Sequence, residues 1–251
     1  WPFVVTRAFE RPFVWLKTAV SLDGRFAPEG MTPGKGAAYL TGASARHQVH
    51  VLRRWADVVL VGSRTAAVDR PRLDGRLAGP DAACPPEDPI PAVLSERLAD
   101  LPPWAGRPHL AFAGPDAPEL AAETVRAGKG TVIRCAAGPS GVEPCSVVAR
   151  LASLGKHCLL VEGGPAVAAS FLRARLVDRW VHYTAPVLLG RGVGWPEWNE
   201  PPGAGSEPDG LTLTRAAHCG GDAVTVWDRL SFRDACARLT SLGGANDWER
   251  A

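Results

Sequence analysis

The chain contains no long apolar run and no excess of either charge. None of its hydrophobic stretches approaches the ~20 residues of a membrane helix, and its opening residues lack a secretory pattern. A cytoplasmic protein without membrane contact is therefore expected. Its 28 basic and 26 acidic residues are well mixed and leave a net charge of +2. That balance gives no basis for nucleic-acid binding, which draws on a dense cationic face. None of the six cysteines (Cys84, Cys135, Cys145, Cys158, Cys219 and Cys236) forms a C-x-x-C pair. Neither a zinc site nor a redox dithiol is indicated, and reduced thiols are expected. The H-x-E and P-C-x-x-C signature of zinc deaminases is missing. So are a G-x-x-x-x-G-K-[ST] loop, a G-x-G-x-x-G after the first strand-like run, and a G-x-S-x-G elbow. His47 and His50 stand three apart without a third ligand, so they read as a surface pair and no metal is expected.

What is present suffices for a full core: 251 residues, 46% of them apolar. Phe13 to Leu22 and Asp57 to Gly62 read as buried strands. Ser44 is the expected N-cap of a helix reaching about Trp55, with Ala45, Val49, Leu52 and Ala56 on its apolar stripe. Arg46, His50 and Arg53 share the next face. Short strands are expected at Ala92 to Leu94, His109 to Ala113 and Thr131 to Cys135, and helices near Pro118 to Ala127 and Val147 to Leu154. Residues 26–43 and 190–210 are rich in Gly and Pro and read as loops, and 77–91 as a surface insertion. Val177 to Leu189 is extended, and Leu211 to Ala216 with Ala223 to Leu230 suggests a terminal hairpin. Alternating strands and helices predict an α/β fold: one domain over 12–232, with a mixed, mostly parallel sheet and an antiparallel C-terminal hairpin. Residues 1–11 read as an arm or linker, and 233–251 as a helix or tail.

The most organised stretch is Cys158 to Leu172, CLLVEGGPAVAASFL. It predicts a strand, a glycine turn and a helix opening at Pro165, which lacks an N–H where none would be paired. Such a helix start favours an anion. Glu162 ends the strand at the mouth of that turn. Lys17 lies inside an apolar strand, where a lysine is either working or reaching out at a sheet edge. Arg53, Arg72 and Arg76 could converge on a phosphate, although any one alone reads as solvated. Thr65 and Asp69 follow the second strand and could cap a helical turn or hold a cofactor.

Taken in order, RPFVWLKTAVSLDGR, TGASARHQVHVLRRWADVVLVGSRT, DRPRL-x-x-R, LLVEGGPAVAASFL and VDRWVHYTAPVLLG resemble the reductase half of the bacterial bifunctional riboflavin-pathway deaminase/reductase. The likeness runs over roughly residues 11–230. It implies a dihydrofolate-reductase-like fold and NADPH-dependent reduction of the ribose of 5-amino-6-(5-phosphoribosylamino)uracil to a ribityl chain. It puts cofactor contacts at Ala19, Tyr39, Thr65, Asp69, Gly163, Gly164, Pro165, Ala166, Val167, Ala168 and Ser170. Substrate contacts fall at Lys17, Arg53, Leu73, Arg76 and Glu162, with Lys17 and Glu162 catalytic and the arginines on the 5′-phosphate. It further implies a homodimer and a separate deaminase partner. Four positions depart from the family pattern. Ala37 replaces a substrate-contacting Ser, Tyr39 a Trp, Arg70 a second Asp and Ser95 a strand-ending Asp. They keep open a related pyrimidine or pterin-like substrate, or a nucleotide-binding partner of a deaminase without catalysis.

Overall fold

The computed structural model describes residues 2–30, 39–76, 88–98, 104, 106–139, 141–197 and 210–229. In chain order the elements are α1 (Pro2–Phe9), β1 (Phe13–Ser21), β2 (Ala27–Pro28), α2 (Ala43–Arg54), β3 (Val58–Gly62), α3 (Ser63–Asp69), β4 (Ile90–Leu94), β5 (His109–Ala113), α4 (Glu119–Ala127) and β6 (Gly130–Arg134). There follow β7 (Ala137–Gly138), β8 (Gly141–Val142), α5 (Pro144–Ser153), β9 (Cys158–Val161), α6 (Pro165–Arg173), β10 (Arg179–Ala185), β11 (Gly192–Val193), β12 (Thr212–Cys219) and β13 (Asp222–Asp228).

The main sheet has nine strands in the order β12-β13-β10-β1-β9-β3-β4-β5-β6. From β10 to β6 all neighbours are parallel, and β13 and β12 extend the sheet as an antiparallel hairpin. Every residue of β3, β5 and β9 is buried, as expected of strands covered on both faces. Alternate residues feed two cores. Val58, Leu60, Leu159 and Val161 pack with Val147 and Leu151 of α5 and Phe171 of α6. Val59, Val61 and Leu160 pack on the other side with Ala66 of α3 and Ala122 and Val125 of α4. Val49 of α2 lies on Val181, Tyr183 and Val224. The mixed, mostly parallel sheet flanked by helices, with its terminal hairpin, is as expected.

Two carboxylates fix the register. Asp178 takes both arms of Arg11, at 2.6 and 2.7 Å, and the Val14 N–H at 2.8 Å, tying β10 to β1. Asp57 accepts the His157 and Cys158 N–H groups at 2.6 and 2.9 Å, seating β9 beside β3.

Several expectations change in detail. The opening segment is a helix, α1, which buries Val5 and Ala8. α2 starts at Ala43 after Gly42, so Ser44 is not its cap; the Gly42 N–H is held by Asp222 Oδ2 at 2.8 Å instead. β4 begins at Ile90, inside the segment read as insertion. Pro91 is tolerated there because β5 pairs with β4 only from Ala92 onward. Two short pairings were not expected, β7 with β8 and β2 with β11. Residues 77–87 of the insertion and the 233–251 tail lie outside the described residues.

Candidate active site

β9 is the late strand wedged between β1 and β3, and the site forms where it ends. Leu16 pairs with Val161, and Val161 with Leu60. The chain then leaves the sheet at Glu162, whose N–H donates to the Leu60 carbonyl at 2.9 Å. Alternation puts Lys17 on the same face as Trp15 and Ala19, and Glu162 on the face of Cys158 and Leu160. That is the side covered by α2. Arg53, in the last turn of α2, meets Glu162 through both arms: Nε to Oε1 at 2.7 Å and the second guanidinium nitrogen to Oε2 at 2.8 Å. Their side chains are 12% and 7% exposed.

The charges are coupled. Burial alone would raise the Glu162 carboxyl, but the charge and hydrogen bonds of Arg53 outweigh it and hold the group below the ordinary carboxylate range. Burial pushes the Lys17 amine below its usual value, with Glu162 and Asp69 pulling it back and Arg53 pushing it further down. Asp69, at the end of α3, is raised by burial and opposed by Lys17. Two acidic and two basic groups are thus coupled beside the carboxyl ends of β9 and β3. In open α/β sheets that is where ligands sit.

Beside the cluster, Gly163 and Gly164 turn the chain into α6. Gly164 is the N-cap and no side chain caps it. A Cβ on Gly163 would lie 2.5 Å from Val167 Cβ, and one on Gly164 would lie 3.3 Å from Thr65 Oγ1. The turn therefore packs against its own helix and under the Thr65 hydroxyl of α3. Ala168 is fully buried and Val167 packs on the core, so these two offer a ligand backbone only. The Ser170 hydroxyl donates to the Val167 carbonyl at 2.8 Å. Ala19 lies on β1 one alternation beyond Lys17. Tyr39 is 68% exposed, with the Arg46 guanidinium 5.0 Å from its ring centre. Ala37 lies outside the described residues.

The DRPRLDGR segment departs most from its sequence reading. The Leu73 side chain is 1% exposed and belongs to the core with Val59, Val61 and Trp104. Its φ of 51° lies in the left-handed region, and the residue as a whole is buried. Arg53 is brought to Glu162 and not to an open anion site. Arg76 is exposed and lies 3.3 Å from Asp74 Oδ1. Asp74 itself was missed. It is buried, it pairs with Arg72 at 2.9 Å, and its carbonyl faces His50 Nδ1 at 3.1 Å. The only signal was an acid set among arginines. Arg70 closes α3 in the left-handed region, and Ser95 is buried at the end of β4, its N–H on the Phe112 carbonyl. Among the described residues no group of three or more His, Cys, Asp or Glu could hold a metal, and no helix is long and apolar enough to cross a membrane. Cys135, Cys145, Cys158 and Cys219 are free thiols.

Comparison with known proteins gives the family of the chain. The chain is 32% identical over 194 residues to the riboflavin biosynthesis protein RibD of Chlamydia pneumoniae, covering 75% of this chain and 50% of the relative. It is 33% identical over 182 residues to RibD of Mycobacterium tuberculosis, covering 72% and 44%. The chain thus spans about half the length of these relatives. A shorter relative, the 2,5-diamino-6-ribosylamino-4(3H)-pyrimidinone 5′-phosphate reductase of Methanothermobacter thermautotrophicus, is 30% identical over 187 residues, covering 72% of this chain and 80% of its own. Among solved structures, RibD of Acinetobacter baumannii superposes with a TM-score of 0.71 at 21% identity, over 92% of this chain and 61% of that one. The riboflavin biosynthesis reductase Rib7 of Saccharomyces cerevisiae follows at 0.60 and 18%, over 90% and 98%. With residues 12–222 matching the model of the RibD C-terminal domain, and with Lys17 and Glu162 falling inside that span, the chain belongs to the RibD C-terminal domain family.

Proposed function

We propose that this domain uses NADPH to reduce the sugar of a phosphoribosylamino-pyrimidine, with 5-amino-6-(5-phosphoribosylamino)uracil as the leading substrate. The observation that carries the reading is the Lys17, Glu162, Arg53 and Asp69 cluster beside the glycine turn that opens α6. The name of the Methanothermobacter relative, a reductase of a diamino-pyrimidinone 5′-phosphate, supports a pyrimidine carrying an amino-linked sugar. A homodimer, a cytoplasmic setting and work alongside a separate deaminase belong to the same reading.

The residues present fit the cofactor. The uncapped start of α6 leaves backbone N–H groups for a phosphate. The Thr65 hydroxyl stands next to that turn, and Ala19 and Tyr39 offer a small side chain and an open ring. When bound, NADPH supplies the hydride that reduces C1′ of the sugar.

The protein prepares that carbon. The bond from C1′ to the ring oxygen breaks as the nitrogen lone pair forms C1′=N, and the leaving oxygen requires a proton. Lys17 donates it: burial has lowered its pKa, which makes its ammonium a better acid. Glu162 and Asp69 balance the lysine's charge, and Arg53 holds Glu162 in one orientation through its two-armed contact. Arg76, with its side chain half exposed, receives the 5′-phosphate.

Loss of NADPH absorbance on adding the phosphoribosylamino-uracil tests the activity. No oxidation of NADPH by that uracil or by the diamino-pyrimidinone, with NADPH still bound, would overturn it in favour of a nucleotide-binding partner. Arg76→Ala is expected to raise KM for the phosphorylated substrate about tenfold with kcat little changed. An unmoved KM would remove Arg76 from the phosphate.

A further inference from the structure

The loop that carries Arg76 is held by side chains from elsewhere in the chain. Residues 70–76 form neither helix nor strand. Two of its non-glycine residues, Arg70 and Leu73, sit in the left-handed region with φ of 44° and 51°. Such backbone persists only where its surroundings impose it. From Pro71 onward, the main-chain hydrogen bonds of this segment among the described residues run to side chains. The Pro71 carbonyl accepts from Trp104 Nε1 at 2.7 Å, and the Arg72 carbonyl accepts from the Arg107 guanidinium at 2.7 Å. The Gly75 N–H donates to Asp88 Oδ1 at 3.0 Å. The other arm of Arg107 donates to the Pro89 carbonyl at 3.1 Å. One guanidinium thus ties the loop to the residues that lead into β4.

The clamp stands on fixed ground. Trp104 and Arg107 close a tight turn, with the Arg107 N–H on the Trp104 carbonyl at 2.9 Å. The Gly106 N–H inside that turn donates to the Gly128 carbonyl, just behind α4, at 3.0 Å. The Trp104 ring is buried in the core that also holds Leu73, and it meets His109, the first residue of β5, edge to face. Arg107 forms no ion pair among the described residues; its donors go to two main-chain carbonyls. A planar fork spans two such acceptors, which an ammonium does less well.

We propose that Arg107, aided by Trp104, is a positioning residue for the substrate's 5′-phosphate: it fixes the loop from which Arg76 reaches the ligand. The inference rests on the assignment of Arg76 to that phosphate. Without the fork, the Arg72 and Pro89 carbonyls lose their partner and the left-handed turns around Leu73 lose part of what imposes them. Arg76 then searches a wider space before it meets the phosphate, and small misplacements of a clamping group are costly. Lys17 and Glu162 hang on β1 and β9 and do not depend on this loop for their place.

The test measures binding of ribose 5-phosphate and of ribose to the whole chain by ligand-observed NMR titration. It requires neither NADPH nor turnover. Arg107→Ala is expected to weaken ribose 5-phosphate about fivefold and to leave ribose unmoved. Arg107→Lys, which can still donate to one carbonyl, should bring the loss back to about twofold. Arg107→Ala combined with Arg76→Ala should lose about tenfold, as Arg76→Ala does alone, and not the roughly fiftyfold of independent effects. Equal losses for both sugars, or the fiftyfold product, would overturn the proposal. So would unmoved ribose 5-phosphate binding in Arg107→Ala beside a loss in Arg76→Ala, and that result leaves the phosphate assignment standing. Ribose 5-phosphate binding no tighter than ribose in the unaltered protein removes the assignment and this inference with it. If Arg107→Ala does not fold, Trp104→Phe, which keeps a ring but loses the N–H, must show the same selective loss at about threefold, and its absence overturns the proposal. The expected affinities without NADPH oxidation by any pyrimidine would sink the reductase reading alone.

Discussion

Lys17 and Thr18 are neighbours on β1, yet they enter two different kinds of buried polar ground. Lys17 faces α2 and joins Glu162, Arg53 and Asp69, all of them ionisable, and each of the three shifts its pKa. Thr18 faces the opposite side and is 2% exposed. Its hydroxyl accepts from Trp180 Nε1 at 2.7 Å and lies 2.7 Å from His182 Nδ1. Burial pushes His182 down to about 4, which keeps the ring neutral. Around it Trp180, Trp195 and Phe26 pack edge to face. One face of the strand holds balanced ions that a reacting molecule can disturb. The other holds a neutral network of Thr18, Trp180 and His182, which fixes β1 against β10. A polar residue in a core strand thus signals chemistry only when its surroundings leave charge to be used.

The sharpest way to break this contrast is Glu162→Ala. It strands the Arg53 guanidinium without a counter-charge, and a loss of about 3–5 kcal/mol in denaturant unfolding is expected together with loss of turnover. Retained turnover would place the chemistry elsewhere. Lys17→Met comes next. Turnover should fall by about 10²–10⁴-fold, the usual worth of a general acid. Stability should hold or rise, because a lysine whose folded pKa lies below its unfolded value makes the native state less stable as pH falls, and methionine removes that term. A variant that unfolds while its residual folded fraction still turns over would reverse the assignment. The smallest expected effect belongs to the neutral side. Between about 4 and the ordinary 6.5, the unfolded chain binds the His182 proton and the native chain does not. That contribution is complete above pH 6.5 and is lost as pH falls toward 4, by about 3 kcal/mol. Unfolding in guanidinium at several pH values should show the slope, and His182→Gln should flatten it.

Much of the fold was legible because its signals are local. β3, β9 and α6 are short apolar runs bounded by glycine and proline, and their bounds fall within a residue of expectation. What was missed depends on distant partners. Ser44 looked like a cap, but the start of α2 is held by Asp222, 180 residues away. The first helix shows no cap residue, and its helicity comes with the burial of Val5. The site was legible through resemblance in its membership, less so in its wiring. Glu162 and Arg53 are 109 residues apart, and no spacing rule pairs them. Leu73 occupies a position that reads as substrate-facing, yet it is buried in the core with Val59 and Val61. Asp74 went unnoticed because an acid among arginines in a loop reads as surface charge until its burial is known.

The late insertion of β9 has a consequence for how the chain is made. β1 and β3 leave the ribosome first, and the strand that must lie between them comes roughly a hundred residues afterwards. Until then their facing edges have no partner, and such edges invite pairing with other chains. Glu162 emerges directly behind that strand. Closing the gap and delivering the carboxylate are therefore one event in biosynthesis, and a nascent chain stalled before it would hold an arginine and a lysine with nothing yet to work on.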